Sequence, residues 1–126
     1  MTLYLDTHVA AFIHAGDPAL LSPGAVHMLE ASQSIRISPM VVLELQYLFE
    51  VSRIAYPGDE IAGFLSDEFG IAIDTAGMGD AVLHAAGLTW TRDPFDRIIT
   101  AQAARAGAFL LTRDETMRQH YAAAVW

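Results

Sequence analysis

The chain has 126 residues, of which 53% are apolar, and it carries a formal charge of −8 without any cysteine or lysine. This composition excludes a disordered chain, disulfide bonds, thiolate metal sites and any mechanism that requires a lysine side chain. No apolar run reaches the roughly 18 residues that a membrane-spanning helix needs, and no basic segment precedes an apolar one. We therefore expect a cytoplasmic protein without membrane contact, folded as a single domain over residues 1–126.

The charge is unevenly distributed along the chain. Residues 1–91 hold two Arg and eleven acidic residues, whereas residues 92–126 hold five Arg and only four acidic residues. A net charge this negative is unusual for a protein that contacts nucleic acid.

Five short segments favour β-strands, and helical patterns separate them. The strand segments are Thr2–Leu5 and residues 35–37, 71–73, 108–111 and 123–126, the last as an edge strand. Strands that alternate with helices predict an α/β fold with a central parallel sheet and helices on both faces. We therefore expect a three-layer α/β/α sandwich with four to five short strands.

Capping residues and helix breakers set the predicted helix boundaries. The predicted helices cover residues 7–14, a segment that starts at Ser22-Pro23, residues 39–51, 59–69, 75–86 and 94–105, and a short turn from residue 114. Asp74 or Thr75 is expected to cap the helix that ends near residue 86.

The apolar faces of these helices predict their packing. The helix over residues 39–51 is apolar nearly all round, so we expect it to be fully buried or covered by a partner. Val26 and Leu29 form the expected inward stripe of an earlier helix. One face of the helix after residue 58 carries a larger apolar set, comprising Ile61, Phe64, Leu65 and Phe69.

Residues 92–97, Arg-Asp-Pro-Phe-Asp-Arg, place two carboxylates at the start of an otherwise apolar helix. Asp93 precedes Pro94 and is most simply the N-cap. Asp96 lies in the first turn, where the helix dipole favours negative charge. It is either a capping-box partner or a ligand that faces a metal.

Three further acids occupy comparable places. Asp6 directly follows the first strand and Asp114 follows the fourth, so both lie at the carboxyl edge of the sheet if those strands are parallel neighbours. Either could also be a simple helix cap. Glu44 lies within its helix between two leucines and caps nothing, so it needs another partner.

Asp6, Glu44, Asp96 and Asp114 are therefore our candidate ligands of a divalent metal. Four carboxylates raise one another's pKa when they gather, so they need a compensating cation. Oxygen-only ligands favour Mg²⁺, with Mn²⁺ as an alternative. The five histidines show no ligand spacing and are interpreted as structural or surface residues, with His8 as the exception because it follows Asp6 so closely.

Four segments resemble the successive motifs of the PIN domain, and in particular of VapC-type toxins, including the subgroup with a DPFDR signature. The segments are LYLDTHVAAFI, ISPMVVLELQYLFEV, RDPFDRIITAQA and AFLLTRDETM. The resemblance runs from Thr2 to about Tyr121. It implies a Mg²⁺-dependent endoribonuclease that hydrolyses RNA phosphodiester bonds as the toxin of a type II toxin–antitoxin pair.

The resemblance also implies roles for single residues. The four family acids fall on Asp6, Glu44, Asp96 and Asp114, whereas Asp93 is not among them. Thr7 and Thr112 occupy positions where the family often has a hydroxyl near the metal-bound water. Arg97, and less directly Arg92 or Arg113, could bind phosphate, although Arg97 could instead form a salt bridge with Asp93 or Asp114.

The implied partners are an RNA substrate, an antitoxin and a second copy of the chain in a homodimer. An antitoxin helix would fit a groove between the 39–51 helix and the helix that carries Phe64. Phosphatases of the haloacid dehalogenase type, receiver domains and P-loop enzymes all require a lysine and are excluded. The remaining alternative is a PIN scaffold that binds RNA or protein without cleaving.

Overall fold

The computed structural model describes residues 1–126 and contains one five-stranded sheet in which all neighbouring strands are parallel. The strands are β1 (Thr2–Leu5), β2 (Ser34–Ile37), β3 (Ala72–Ile73), β4 (Phe109–Leu111) and β5 (Ala124–Val125). They lie in the order β3-β2-β1-β4-β5, so the first strand is central. Leu5 pairs with Leu111, which brings the carboxyl ends of β1 and β4 side by side.

Seven helices connect and flank these strands. They are α1 (Thr7–Ala15), α2 (Pro23–Ala31), α3 (Pro39–Glu50), α4 (Gly58–Phe69), α5 (Met78–Ala85), α6 (Pro94–Arg105) and α7 (Glu115–His120). A short 3₁₀ turn spans Pro18–Leu20. The predicted α/β fold with a central parallel sheet is therefore confirmed. No helix is long and apolar enough to cross a membrane.

Local capping rules account for most helix ends. Ser22 and Ser38 accept hydrogen bonds from the first backbone N–H groups of α2 and α3, each followed by a proline in the first turn. Gly70 ends α4 in the left-handed conformation, with φ of 66°. The predicted cap of α5 is wrong, because Gly77 occupies that position. Asp74 instead accepts hydrogen bonds from Tyr4 and Arg36 of neighbouring strands.

The core consists of the sheet and the inner faces of α1, α3, α4 and α6. Leu3 and Leu5 of β1, together with Leu110 and Leu111 of β4, are fully buried at its centre. Several large side chains of the apolar helix faces, including the predicted inward residue Val26, are exposed, because each of these helices turns only part of its apolar surface toward the core. They are Val26 of α2, Leu43 and Tyr47 of α3, and Phe64 and Phe69 of α4.

Candidate active site

Asp6 is the most buried acid of the chain, with 5% of its surface exposed. It ends β1 and caps α1, because its Oδ1 accepts from the Thr7 backbone N–H at 2.7 Å. Burial raises the pKa of its carboxyl above the ordinary value. The hydrogen bonds from Thr112 and from the Thr7 backbone oppose this rise, and the charge of Asp114 adds to it.

Thr112 joins Asp6 to Asp114 across the sheet. Its hydroxyl donates to Asp6 Oδ2 at 2.7 Å and accepts from the Asp114 backbone N–H at 3.1 Å. The Asp114 side chain caps α7 by accepting from the Met117 backbone N–H at 2.9 Å. The pairing of β1 with β4 therefore places two of the four predicted acids at one edge of the sheet, as the sequence indicates.

Glu44 lies in the second turn of α3 and is half-buried. Burial raises the pKa of its carboxyl, and the negative charges of Asp6 and Asp93 raise it further. The hydroxyl of Thr7 is close enough to counteract this rise but makes no hydrogen bond of normal geometry. Thr7 Oγ1 is thus a buried polar atom without a partner, between two carboxylates.

Asp96 lies in the first turn of α6, and its carboxyl also has a raised pKa. Burial, together with the charges of Asp6, Asp93, Glu44 and Asp114, raises its pKa to about 8. All four predicted acids therefore influence one titration, which places them in one electrostatic cluster. No three His, Asp or Glu side chains stand close enough together to bind one metal ion without rearrangement.

Asp93 caps α6, as predicted, by accepting from the backbone N–H groups of Phe95 and Asp96 at 2.8 and 3.3 Å. Its charge also raises the pKa of both Glu44 and Asp96. From the sequence, Asp93 was predicted only as a helix cap, and its electrostatic effect on the cluster was not predicted. The sequence spacing could have indicated this effect, because the carboxylate of the N-cap residue lies within one turn of Asp96.

Arg97 does not form the predicted salt bridge with Asp93 or Asp114. Its Nε donates to the Thr91 backbone carbonyl at 2.7 Å, and the two ion pairs of the chain are Arg36–Asp74 and Arg105–Asp80. The terminal nitrogens of Arg97 remain free of carboxylate partners.

His8 follows Asp6 along α1 and is exposed. Its positive charge when protonated lowers the pKa of both Asp6 and Glu44, so it lies next to the cluster. Among the largest causes of the shifted carboxyl pKa values, His8 is the only histidine.

Acidic side chains at the carboxyl ends of a central parallel sheet define a PIN-like α/β protein. Comparison with solved structures agrees. A toxin–antitoxin complex from Klebsiella pneumoniae matches with a TM-score of 0.68 at 19% identity, covering 98% of this chain and 96% of that one. VapBC2 from Rickettsia felis, bound to a DNA fragment from its promoter, gives a TM-score of 0.63 at 18% identity, covering 94% and 92%. These similarities show the shared fold.

Sequence comparison is more specific. No family model matches the chain. The chain is, however, 31% identical over 124 residues to Ribonuclease VapC22 of Mycobacterium tuberculosis, covering 94% of this chain and 92% of that protein. The chain belongs to the VapC ribonuclease family.

Proposed function

We propose that this protein is a Mg²⁺-dependent endoribonuclease and the toxin of a type II toxin–antitoxin pair. The observation that carries this proposal is the carboxylate cluster, in which burial and then the charges of four other acids raise the pKa of Asp96 to about 8. It occurs in a chain whose relative is named a ribonuclease. Proteins gather buried carboxylates where a cation or a reaction uses them.

The ligand chemistry of the cluster suits a hard divalent cation, and the side chains would have to move closer together to bind one ion. Asp6, Glu44, Asp96 and Asp114 offer only oxygen atoms, as Mg²⁺ and Mn²⁺ prefer. The partnerless hydroxyl of Thr7 adds a polar atom that a metal-bound water could satisfy. A cation held by these residues would lower the pKa of a water molecule and offset charge on the phosphate oxygens.

The remaining residues of the site have supporting tasks. Thr112 holds the Asp6 carboxylate in place through its 2.7 Å hydrogen bond. Arg97 is fixed by Thr91, so its terminal nitrogens are available for the phosphate backbone of the substrate. Arg92 and Arg113 are exposed on either side and could add to the attraction for RNA.

The partner proposal rests on apolar surfaces and on the relatives. The Klebsiella structure is described as a toxin–antitoxin complex, and we propose an antitoxin partner here as well. A cleft of about 580 Å³ lies between α1, α4 and the segment before α4, and its lining includes His14, Tyr56 and Phe64. This cleft contains no α3 residue and is not the groove that we predicted between α3 and α4. A second cleft, of about 750 Å³, is lined by Leu43 and Gln46 of α3 and by Asp59 of α4.

We further propose a homodimer. Leu43 and Tyr47 of α3 are each about half exposed, and Leu83 of α5 is 75% exposed. Large apolar side chains on one monomer at this exposure are typical of interaction surfaces. Light scattering after size-exclusion chromatography measures the mass directly, and a monomer at micromolar concentration would contradict this proposal.

The activity test uses purified protein and total RNA, with and without Mg²⁺. We expect cleavage by the wild type only with Mg²⁺, and none by Asp6→Asn or Asp96→Asn. Asp67→Asn is the matched control, since it removes the same charge from an exposed position of α4 and should cleave normally. Equal RNA loss from all four proteins would refute the assigned site. RNA binding without cleavage by the wild type would favour the non-cleaving scaffold.

A further inference from the structure

Two aromatic rings form a flat stack beside the carboxylate cluster. Trp90 lies in the loop before α6 and His120 is the last residue of α7. Their ring centroids are 5.2 Å apart and their planes differ by 8°, a separation typical of stacked aromatic pairs. Trp90 packs against the core, and His120 is exposed. The stack therefore has an anchored inner ring and an accessible outer ring.

The outer ring is held in orientation. His120 Nδ1 lies 2.9 Å from the Thr116 backbone carbonyl, one turn earlier in α7. A ring fixed in this way loses little rotational freedom when another flat group binds to it.

The stack lies close to two acids of the cluster. Trp90 precedes Asp93 by three residues, which limits their Cα separation to about 11 Å. His120 follows Asp114 by six residues, mostly along α7, or about 9 Å. The stack therefore joins the loop before α6, the helix that carries Asp96, to the end of the helix that Asp114 caps.

Unpaired cations surround the same region. Of the seven arginines, only Arg36 and Arg105 form ion pairs. Four of the other five lie in the segments around Asp96 and Asp114, namely Arg92, Arg97, Arg113 and Arg118. An acidic protein that leaves these guanidinium groups without carboxylate partners retains local attraction for a phosphate backbone.

We propose that Trp90 and His120 form a stacking platform for one base of a single-stranded RNA substrate, adjacent to the scissile phosphate. This inference rests on the proposed ribonuclease function. Single-stranded RNA presents unstacked bases that stack on aromatic side chains, including histidine. Stacking supplies affinity that does not depend on net charge, which suits a protein with a charge of −8.

A fluorescence titration tests contact with the platform. Trp126→Phe leaves Trp90 as the single tryptophan, and Asp96→Asn in the same chain prevents cleavage. A short single-stranded RNA of mixed sequence, added with Mg²⁺, should quench Trp90 emission. Adding His120→Ala should weaken binding roughly fivefold or more. RNA binding that leaves Trp90 emission unchanged would overturn the proposal.

Kinetics test the same platform in the active protein. His120→Ala should raise KM for RNA about fivefold or more with kcat and the melting temperature nearly unchanged, and His120→Phe should restore KM because it keeps a flat ring. His84→Ala is the matched control, since His84 is also exposed in the last turn of its helix.

The outcomes separate the two proposals. Normal cleavage with an unchanged KM in His120→Ala would overturn the platform and leave the ribonuclease function intact. No cleavage by the wild type would refute the ribonuclease function, and the titration would then decide the platform alone. If His120→Ala weakened binding of an antitoxin peptide but not of RNA, the platform would be a protein contact and the proposal would be wrong.

Discussion

At the scale of single residues, the site is governed by buried negative charge. Asp6 is nearly inaccessible, and burial is the first cause of the raised pKa of Asp6, Glu44 and Asp96. No arginine forms an ion pair with any of these acids. With its pKa raised to about 8, the Asp96 carboxyl therefore holds a proton at neutral pH, where an ordinary aspartate would be ionised.

Asp96 gives this cluster a pH dependence with a definite sign. Its pKa is about 8 in the folded protein against an ordinary 3.8, so between these values the folded state holds a proton that the unfolded state has lost. Stability therefore falls as pH rises through this window and levels off above about pH 8. Asp96→Asn removes this pH-dependent contribution to stability. In EDTA, we expect its melting temperature to exceed that of the wild type by more at about pH 9 than at about pH 5.

Thermal melts of both proteins across this range provide the measurement, with Asp67→Asn as the control for a lost surface charge. A constant difference between Asp96→Asn and the wild type at every pH would mean that Asp96 titrates normally.

Thr112 supports the cluster through its hydroxyl. Thr112→Val keeps the shape but removes the donor to Asp6 Oδ2 and the acceptor for the Asp114 backbone N–H. We expect a loss of roughly 1–3 kcal/mol in the free energy of unfolding, because both partners are left without this hydroxyl. Urea denaturation measures it. Thr112→Ser retains the hydroxyl and should lose less, so equal losses would assign the effect to packing.

At the scale of secondary-structure elements, the contact between α3 and α4 holds α3, the helix that carries Glu44, in position. Gly58 begins α4, and its backbone N–H donates to Gln46 Oε1 of α3 at 3.1 Å. A Cβ at Gly58 would lie 2.3 Å from the Val42 carbonyl oxygen and 2.9 Å from the Gln46 backbone nitrogen. The two helices can approach this closely only because a side chain is absent.

Gly58→Ala should therefore destabilise the protein by roughly 1–3 kcal/mol or more, since the clash is with backbone atoms that cannot rotate away. Gly63→Ala is the matched control in the same helix. An added Cβ there meets nothing within 4 Å, and the change should stabilise the protein by up to about 1 kcal/mol. Denaturant unfolding of both variants measures the two changes in the free energy of unfolding. Similar changes in both variants would show that the α3–α4 contact is looser than the structure indicates.

Local features were predictable at this scale, whereas contacts between distant segments were not. The caps at Ser22, Ser38 and Asp93 follow from short-range rules that need only a few residues. Asp74 Oδ1 also accepts from the Ala76 backbone N–H at 3.0 Å, and its Oδ2 accepts from Tyr4 and Arg36 of other strands, but α5 begins only after Gly77. The Trp90–His120 stack has no sequence signal, because only the fold brings these residues together.

Some features of the candidate site were likewise predictable from the sequence, whereas others were not. The order of strands and helices was enough to predict that Asp6 and Asp114 share an edge, since parallel strands end on one side. The hydrogen bonds of Thr112 and the raised pKa of Asp96 depend on burial and on distances that a sequence does not contain. Likewise, the sequence left open whether the apolar face of α4 packs in the core or receives a partner, and only the structure shows that Phe64 and Phe69 are exposed.

At the scale of the whole molecule, the negative charge of the chain opposes both the folding that brings the carboxylates together and the approach of RNA. The formal charge is −8, and residues 1–91 carry most of it. Repulsion among the clustered carboxylates lowers the free energy of unfolding, and a bound cation would raise it again. The proposed metal site and the stability of the entire fold are therefore coupled, which makes metal binding measurable without any substrate.

Mg²⁺ should raise the melting temperature of the wild type. A ligand that binds only the folded state stabilises it by about 2.7 kcal/mol at a free concentration of one hundred times Kd, which corresponds to several degrees for a domain of this size. The shift should saturate with Mg²⁺ and should be strongly reduced in Asp6→Asn and Asp96→Asn. NaCl at equal ionic strength controls for screening, and Asp67→Asn should respond like the wild type. Melting that does not change across the Mg²⁺ titration, or changes equally in all variants, would count against a cation at this cluster.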